Sequence, residues 1–173
     1  ANGDLAAFDF EGKKVWAKNL GLPDNQYGHT ASLALWQNRL IVQMDQGVPE
    51  ENKARLFAFD SATGQLIWEK QRPVGSSWSS PIIAEAAGKT QVLTLAAPWA
   101  IAYDAKDGSE LWRLGEMGGE ITPSPIFAAG FFFVPHPGIH ATLSLASSIS
   151  VILAAGGFAW TAPGLKERAA ALT

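Results

Sequence analysis

Few residues in this chain have the type and spacing that chemistry requires. His136 and His140 stand at the i, i+4 separation of two metal ligands, but that spacing aligns imidazoles only on a helix, and Pro137 and Gly138 break one. Asp104-Ala-Lys-Asp107-Gly108 resembles the start of a calcium loop, yet no further acidic ligand follows at the spacing such a loop needs. The serines at 76, 77, 79 and 80 have no histidine and carboxylate patterned beside them, so they suggest no nucleophile. Cysteine is absent, which removes thiolate zinc sites, disulfides and cysteine nucleophiles together. The remaining candidates are contact residues. Tyr27 and His29 in Gln-Tyr-Gly-His-Thr, and Trp78 in Ser-Ser-Trp-Ser-Ser, precede the first strands of successive units.

Those units are an internal repeat. Leu5-Ala-Ala-Phe8-Asp9-Phe-Glu-Gly12-Lys-Lys-Val-Trp16 returns as Leu56-Phe-Ala-Phe59-Asp60-Ser-Ala-Thr-Gly64-Gln-Leu-Ile-Trp68, and again as Ala100-Ile-Ala-Tyr103-Asp104-Ala-Lys-Asp-Gly108-Ser-Glu-Leu-Trp112. Each copy runs an apolar strand into an aromatic residue and Asp, turns at Gly, and reaches Trp four residues later. This predicts a β-hairpin in which the Asp carboxylate accepts turn N–H groups and Gly supplies the positive φ. The first copy has one residue fewer between Asp and Gly, which leaves the register beyond the turn unchanged.

Trp68 and Trp112 lie 44 residues apart, as do Ser80-Pro81 and Ser124-Pro125, a length that suits a four-stranded blade. The predicted fold is an all-β partial β-propeller of four-stranded antiparallel blades, an open arc of about three blade equivalents. Residues 1–134 divide into a partial blade at 1–20, full blades at 28–71 and 78–114, and the start of another at 121–134. Strands are expected at 30–36, 39–44, 55–60 and 65–70, then at 80–85, 90–96, 100–104 and 109–114, with 124–128 and 131–134 following. Eight extra residues between Trp16 and Trp68 are placed in the turn-rich stretches 23–28 and 46–53, at blade edges.

Composition agrees with a sheet protein. Hydrophobic residues make up 47% and charged residues 17%, with seven Trp and nine Phe against two Tyr. One buried Trp per blade contributes roughly 4–6 kcal/mol of gross burial, so Trp16, Trp68 and Trp112 are read as packing residues. A net charge of −3 offers no basic stripe, and nucleic acid is not an expected partner.

The pattern resembles the pyrroloquinoline-quinone-like repeat, whose tryptophan-docking motif is seen best at residues 58–68. The resemblance covers residues 1–134. It implies that the Trp docks between neighbouring blades while Asp and Gly form the turn, roles carried to Asp9, Gly12, Trp16, Asp60, Gly64, Trp68, Asp104, Gly108 and Trp112. The family includes quinone-dependent alcohol and sugar dehydrogenases, the non-catalytic lipoprotein of the outer-membrane barrel-assembly machinery, and bacterial exported proteins built from the same repeat. Residues 40–45 and 73–81 look most like the non-dehydrogenase members. The resemblance therefore implies a non-catalytic scaffold or binding module, periplasmic or otherwise extracytoplasmic, that meets protein or a small ligand through rim loops bearing Tyr27, His29 and Trp78. No cofactor is expected under that reading. The alternative is a fragment of a quinone-dependent dehydrogenase, which brings pyrroloquinoline quinone and calcium.

The first residues lack the pattern of an export signal, and the start reads as internal to a longer protein. Residues 135–173 form an atypical tail. From 137 to 165 there is no Asp, Glu, Lys or Arg, and the Asp turn is missing where the next blade should carry it. Gly156 and Trp160 repeat the motif spacing, but in a chain this rich in glycine the coincidence carries no weight. Residues 143–160 are uncharged, yet four serines and two glycines leave them only mildly apolar, and no membrane association is expected. Weak strands are predicted at 139–145 and 150–153. The loss of pattern predicts an incomplete gene product whose end is degenerate or out of frame. An open arc also exposes blade faces, so the isolated chain should be marginally stable or self-associating.

Overall fold

Alternation along each strand of the repeat sends successive side chains to opposite faces, so every sheet has two faces to bury and must be flanked by others. The computed structural model describes residues 2–135 and 150–154. Strands β1 (Asp4–Phe8) and β2 (Lys14–Asn19) form a hairpin. β3 (Ala34–Trp36), β4 (Arg39–Met44), β5 (Arg55–Asp60) and β6 (Leu66–Gln71) form a four-stranded antiparallel sheet in chain order. β7 (Ile82–Ala86), β8 (Lys89–Ala96), β9 (Trp99–Asp104) and β10 (Glu110–Leu114) form a second. β11 (Ile126–Ala128), β12 (Phe131–Pro135) and β13 (Ser150–Ala154) make a three-stranded sheet. These are successive blades of an all-β partial propeller. Among the described residues, no helix is long and apolar enough to cross a membrane.

Among the described residues, three cores lie in the seams between blades. Val42 and Phe59 meet Leu5 of the first hairpin, while their strand neighbours Ile41 and Ala58 face the other way and pack with Val92, Ile101 and Tyr103 of the next blade. Leu93, Leu95, Ala100 and Ala102 then cover Phe132 and Val134. The period-two alternation of each strand thus assigns odd and even residues to different seams.

The three motif hairpins share one register. Ala7 pairs with Trp16, Ala58 with Trp68 and Ala102 with Trp112, each beside a bulge next to the turn. Gly12, Gly64 and Gly108 take φ of +80°, +70° and +71°. The shorter first turn is absorbed before the bulge and leaves the Trp opposite Ala.

Some strands begin later than the sequence predicts. The first strand of the second blade starts at Ala34 because the N–H of Ser32 leaves its own sheet and donates to Ser80 Oγ in the next blade at 2.8 Å. The first strand of the following blade starts at Ile82 because Ser80 N donates to Ser124 Oγ at 3.0 Å and Pro81 has no N–H. The eight-residue excess falls between β4 and β5, where a 3-10 turn at Pro49–Glu51 stands in place of the short Ala97-Pro98 link between β8 and β9. That loop is tied to its surroundings, with Gly47 N on Asp24 O at 2.8 Å and Ser76 N on Gly47 O at 2.9 Å. A strand at 150–153 is present as β13, paired along β12; the strand expected at 139–145 lies outside the described residues, as do His136, His140 and Trp160.

Candidate functional site

The chain segments that lead into β3, β7 and β11 gather at one end of the blades, and they carry the candidate rim residues. Asn25 fixes the first segment: its Nδ2 donates to Asp45 O at 3.0 Å, and its Oδ1 accepts from Tyr27 N at 3.2 Å. Tyr27 is thereby held with 60% of its surface exposed and its ring 5.3 Å from that of Trp78. Trp78 N donates in turn to Ile121 O at 2.9 Å, so one residue links three successive lead-in segments. The Trp78 indole N–H is buried and has no partner among the described residues. His29 is half-buried on the same segment as Tyr27, with Nε2 buried and without a partner among the described residues. Burial lowers its pKa below the usual histidine value, and the Asp45 carboxylate opposes the shift only partly.

Beneath this loop lies a buried polar cluster that the sequence reading did not single out. Arg72 and Asp45 are paired through Nη1 and Oδ1, both side chains removed from water. Arg72 Nη2 also donates to Thr94 Oγ1 at 2.9 Å, while Ser77 Oγ and Gln43 Nε2 donate to Asp45 Oδ2 at 2.5 and 2.7 Å. The network crosses the seam from β4 and the end of β6 to β8 and the segment before β7. Burial raises the Tyr103 pKa against the opposing pull of the Arg72 cation.

Asp45 and Arg72 stand 27 residues apart with no spacing rule to connect them. The repeat itself held the available signal. Gln43 and Asp45 occupy the positions filled by Leu95 and Ala97 in the next blade, and Arg72, whose N–H bonds to Ala54 O, is matched there by Met117, whose N–H bonds to Pro98 O. The blade does not require buried charge there.

The motif residues form turns and seams. Asp60 Oδ1 accepts from Ala62 N, Thr63 N and Thr63 Oγ1 at 3.1, 2.9 and 3.0 Å, and Oδ2 accepts from Asn38 at 2.8 Å. The Thr63 hydroxyl leads the lowering of its pKa. Asp9 accepts from Lys13 N at 2.7 Å and Asp104 from Lys106 N at 2.9 Å. Trp16 Nε1 donates to Ser61 O of the following blade at 2.9 Å, and Trp68 Nε1 reaches Ala105 O at 3.4 Å. Gly64 and Gly108 lie under those two indoles, where a Cβ on either would stand 2.7 Å from the ring. Trp112 behaves differently. Its Nε1 donates to Gln91 of its own blade at 2.8 Å, while its ring lies 5.7 Å from Phe132 in the next.

Comparison with known proteins agrees with this architecture. BamB from Moraxella catarrhalis superposes with a TM-score of 0.54 at 18% identity, over 76% of this chain and 37% of that protein. Quinohemoprotein alcohol dehydrogenase from Comamonas testosteroni superposes with a TM-score of 0.59 at 18% identity, over 76% of this chain and 26% of that one. At such identity the likeness is one of fold, and the chain spans little more than a third of the first protein's length and about a quarter of the second's. No curated protein matches the sequence. The family model described as outer membrane protein assembly factor BamB matches residues 1–152, beyond the 1–134 that carry the repeat pattern. With most of its length covered by that match, and its blades built on the repeat's Asp, Gly and Trp, this chain belongs to the BamB family of pyrroloquinoline-quinone-like propeller repeats.

Proposed function

We propose that the chain is a non-catalytic propeller scaffold or binding module of the exported quinoprotein-like class, extracytoplasmic, contacting protein or a small ligand through the rim loops around Tyr27, His29 and Trp78. Trp16, Trp68 and Trp112 serve as docking residues between blades, and the Asp and Gly residues of the motif serve as their turns. The observation that carries this reading is how the carboxylates are used. Asp9, Asp60 and Asp104 accept turn N–H groups, and Asp45 is taken up by Arg72, Ser77 and Gln43. A quinone site needs a set of oxygen ligands for calcium and a carboxylate base, and these acids do not fit that need. Exposed Tyr27 against a framed Trp78 instead suits recognition, since aromatic side chains dominate contact surfaces.

The test is to add pyrroloquinoline quinone and calcium to the protein and assay dye-linked oxidation of alcohols and sugars. No turnover is expected. Oxidation of either substrate would overturn the scaffold reading in favour of a dehydrogenase fragment.

A further inference from the structure

The seam between the two four-stranded blades is polar where the neighbouring seams are apolar, and strand register shows how. Val42 and Phe59 of one blade become Thr94 and Tyr103 in the next, so each position gains a hydroxyl on nearly the same frame. Across the seam these two meet Gln43, Asp45 and Arg72, whose own counterparts one blade on are Leu95, Ala97 and Met117. Leu95 and Met117 pack in an apolar core with Phe132 and Val134. Both blades that flank the polar seam have all four of their strands, so described residues wall it on each side.

Most hydrogen bonds of the cluster close within it. Gln43 Nε2 donates to Asp45 Oδ2 at 2.7 Å and reaches Leu95 O at 3.4 Å, two acceptors that fix the amide and turn Oε1 away from both. Arg72 uses Nη1 on Asp45 and Nη2 on Thr94, whose own hydroxyl donates to Ile101 O at 3.0 Å. Three atoms remain. Gln43 Oε1, Arg72 Nε and Tyr103 OH have no partner among the described residues, although these residues are only 1%, 0% and 3% exposed. The Tyr103 phenol stands close enough to the guanidinium that each shifts the other's ionisation, yet no direct hydrogen bond joins it to Arg72 Nε. Buried polar groups in native proteins nearly always have a partner, and a gap between two of them is where a bridging molecule sits.

We propose that this seam is a water-binding site, in which ordered water accepts from Arg72 Nε, bonds the Tyr103 hydroxyl and donates to Gln43 Oε1. The three atoms select the occupant. One only donates, one only accepts and one does either, so the ligand is small, neutral and able to do both. An anion would suit Arg72 Nε and the phenol but would face Gln43 Oε1 and the Asp45 carboxylate. A metal cation would face the Arg72 guanidinium, and Asp45 is already paired with that charge. Water with about three protein partners is the usual form of buried water. Ser77, bonded to Asp45 and adjacent to Trp78, ties the site to the rim above it. The inference is independent of what the rim binds.

A high-resolution crystal structure of the chain tests this. Density for water within hydrogen-bond reach of Arg72 Nε and the Tyr103 hydroxyl is expected, and crystals soaked in bromide should show no anomalous peak there. Magnetic relaxation dispersion of water oxygen gives a second measurement in solution. It should detect long-lived water in the native chain, and the Gln43→Leu, Asp45→Ala, Arg72→Met variant should lose part of that signal while circular dichroism still shows its strands. Direct bonding of Arg72 Nε and Tyr103 OH to protein with no water between them, bromide at the site, or undiminished dispersion in the folded variant would overturn the proposal.

Discussion

Trp68 lies so close over Gly108 that a methyl group on the glycine would stand 2.7 Å from the indole, and the same indole reaches across to the carbonyl of Ala105. One contact thus joins the last strand of one blade to the turn of the next. Trp68→Ala should cost about 3–5 kcal/mol, as large core truncations do. Gly108→Ala should cost more than Gly12→Ala, since both have positive φ, worth about 1–2 kcal/mol of strain, but only Gly108 also collides with a ring. Urea unfolding of the three variants measures this; equal losses at Gly12 and Gly108 would refute the account.

The buried Asp45–Arg72 pair should be expensive to break and cheap to replace. Asp45→Ala alone leaves the Arg72 cation without a counter-ion and should cost about 3–5 kcal/mol. The combination Gln43→Leu, Asp45→Ala, Arg72→Met installs at these positions the residues that the next blade carries, and it should recover most of that loss. If the triple variant unfolds at least as readily as Asp45→Ala, the cluster is doing something the apolar blade cannot.

Acid should loosen the rim loop. The folded-state pKa of His29 is lowered, so the folded protein binds fewer protons there than the unfolded chain. Its contribution is fully present above the ordinary histidine pKa of about 6.5 and falls as pH drops from there toward the folded value. The carboxylates with resolved shifts, Glu51, Asp60 and Asp107, are all lowered and titrate below that window. Unfolding measured between pH 7.5 and pH 5 should therefore show a loss that His29→Gln removes. A loss of the same size in the variant would assign it to other groups.

The serine relay from Ser32 N to Ser80 Oγ and from Ser80 N to Ser124 Oγ should matter once per blade. Ser80→Ala removes one acceptor and should cost about 0.5–1.5 kcal/mol. Hydrogen exchange should report it locally, with faster exchange at the Ser32 amide and little change at Ser80, whose own N–H still meets Ser124. Unchanged exchange at Ser32 would mean that the bond does not protect it.

Short-range physics made the hairpins readable from sequence. Aromatic-Asp-turn-Gly-Trp is settled by residues within a dozen positions of one another, and the bulge beside each turn let two loop lengths reach one register. The 44-residue period then placed whole blades, because a repeat reports its own length. Where strands start was less legible. Ser32 and Ser80 bond to the neighbouring blade, and no local pattern says that an N–H will leave its own sheet.

The sequence by itself determined that this chain is a series of Asp–Gly hairpins closed by Trp, and through them its family. Tertiary structure alone decided what lies between those hairpins. It brought Asp45 to Arg72, set Tyr27 against Trp78, and gave Trp16 and Trp68 a glycine to cover while leaving Gly12 bare. The reason is distance along the chain: a turn is chosen by its own residues, whereas a seam exists only once two blades have already formed and met.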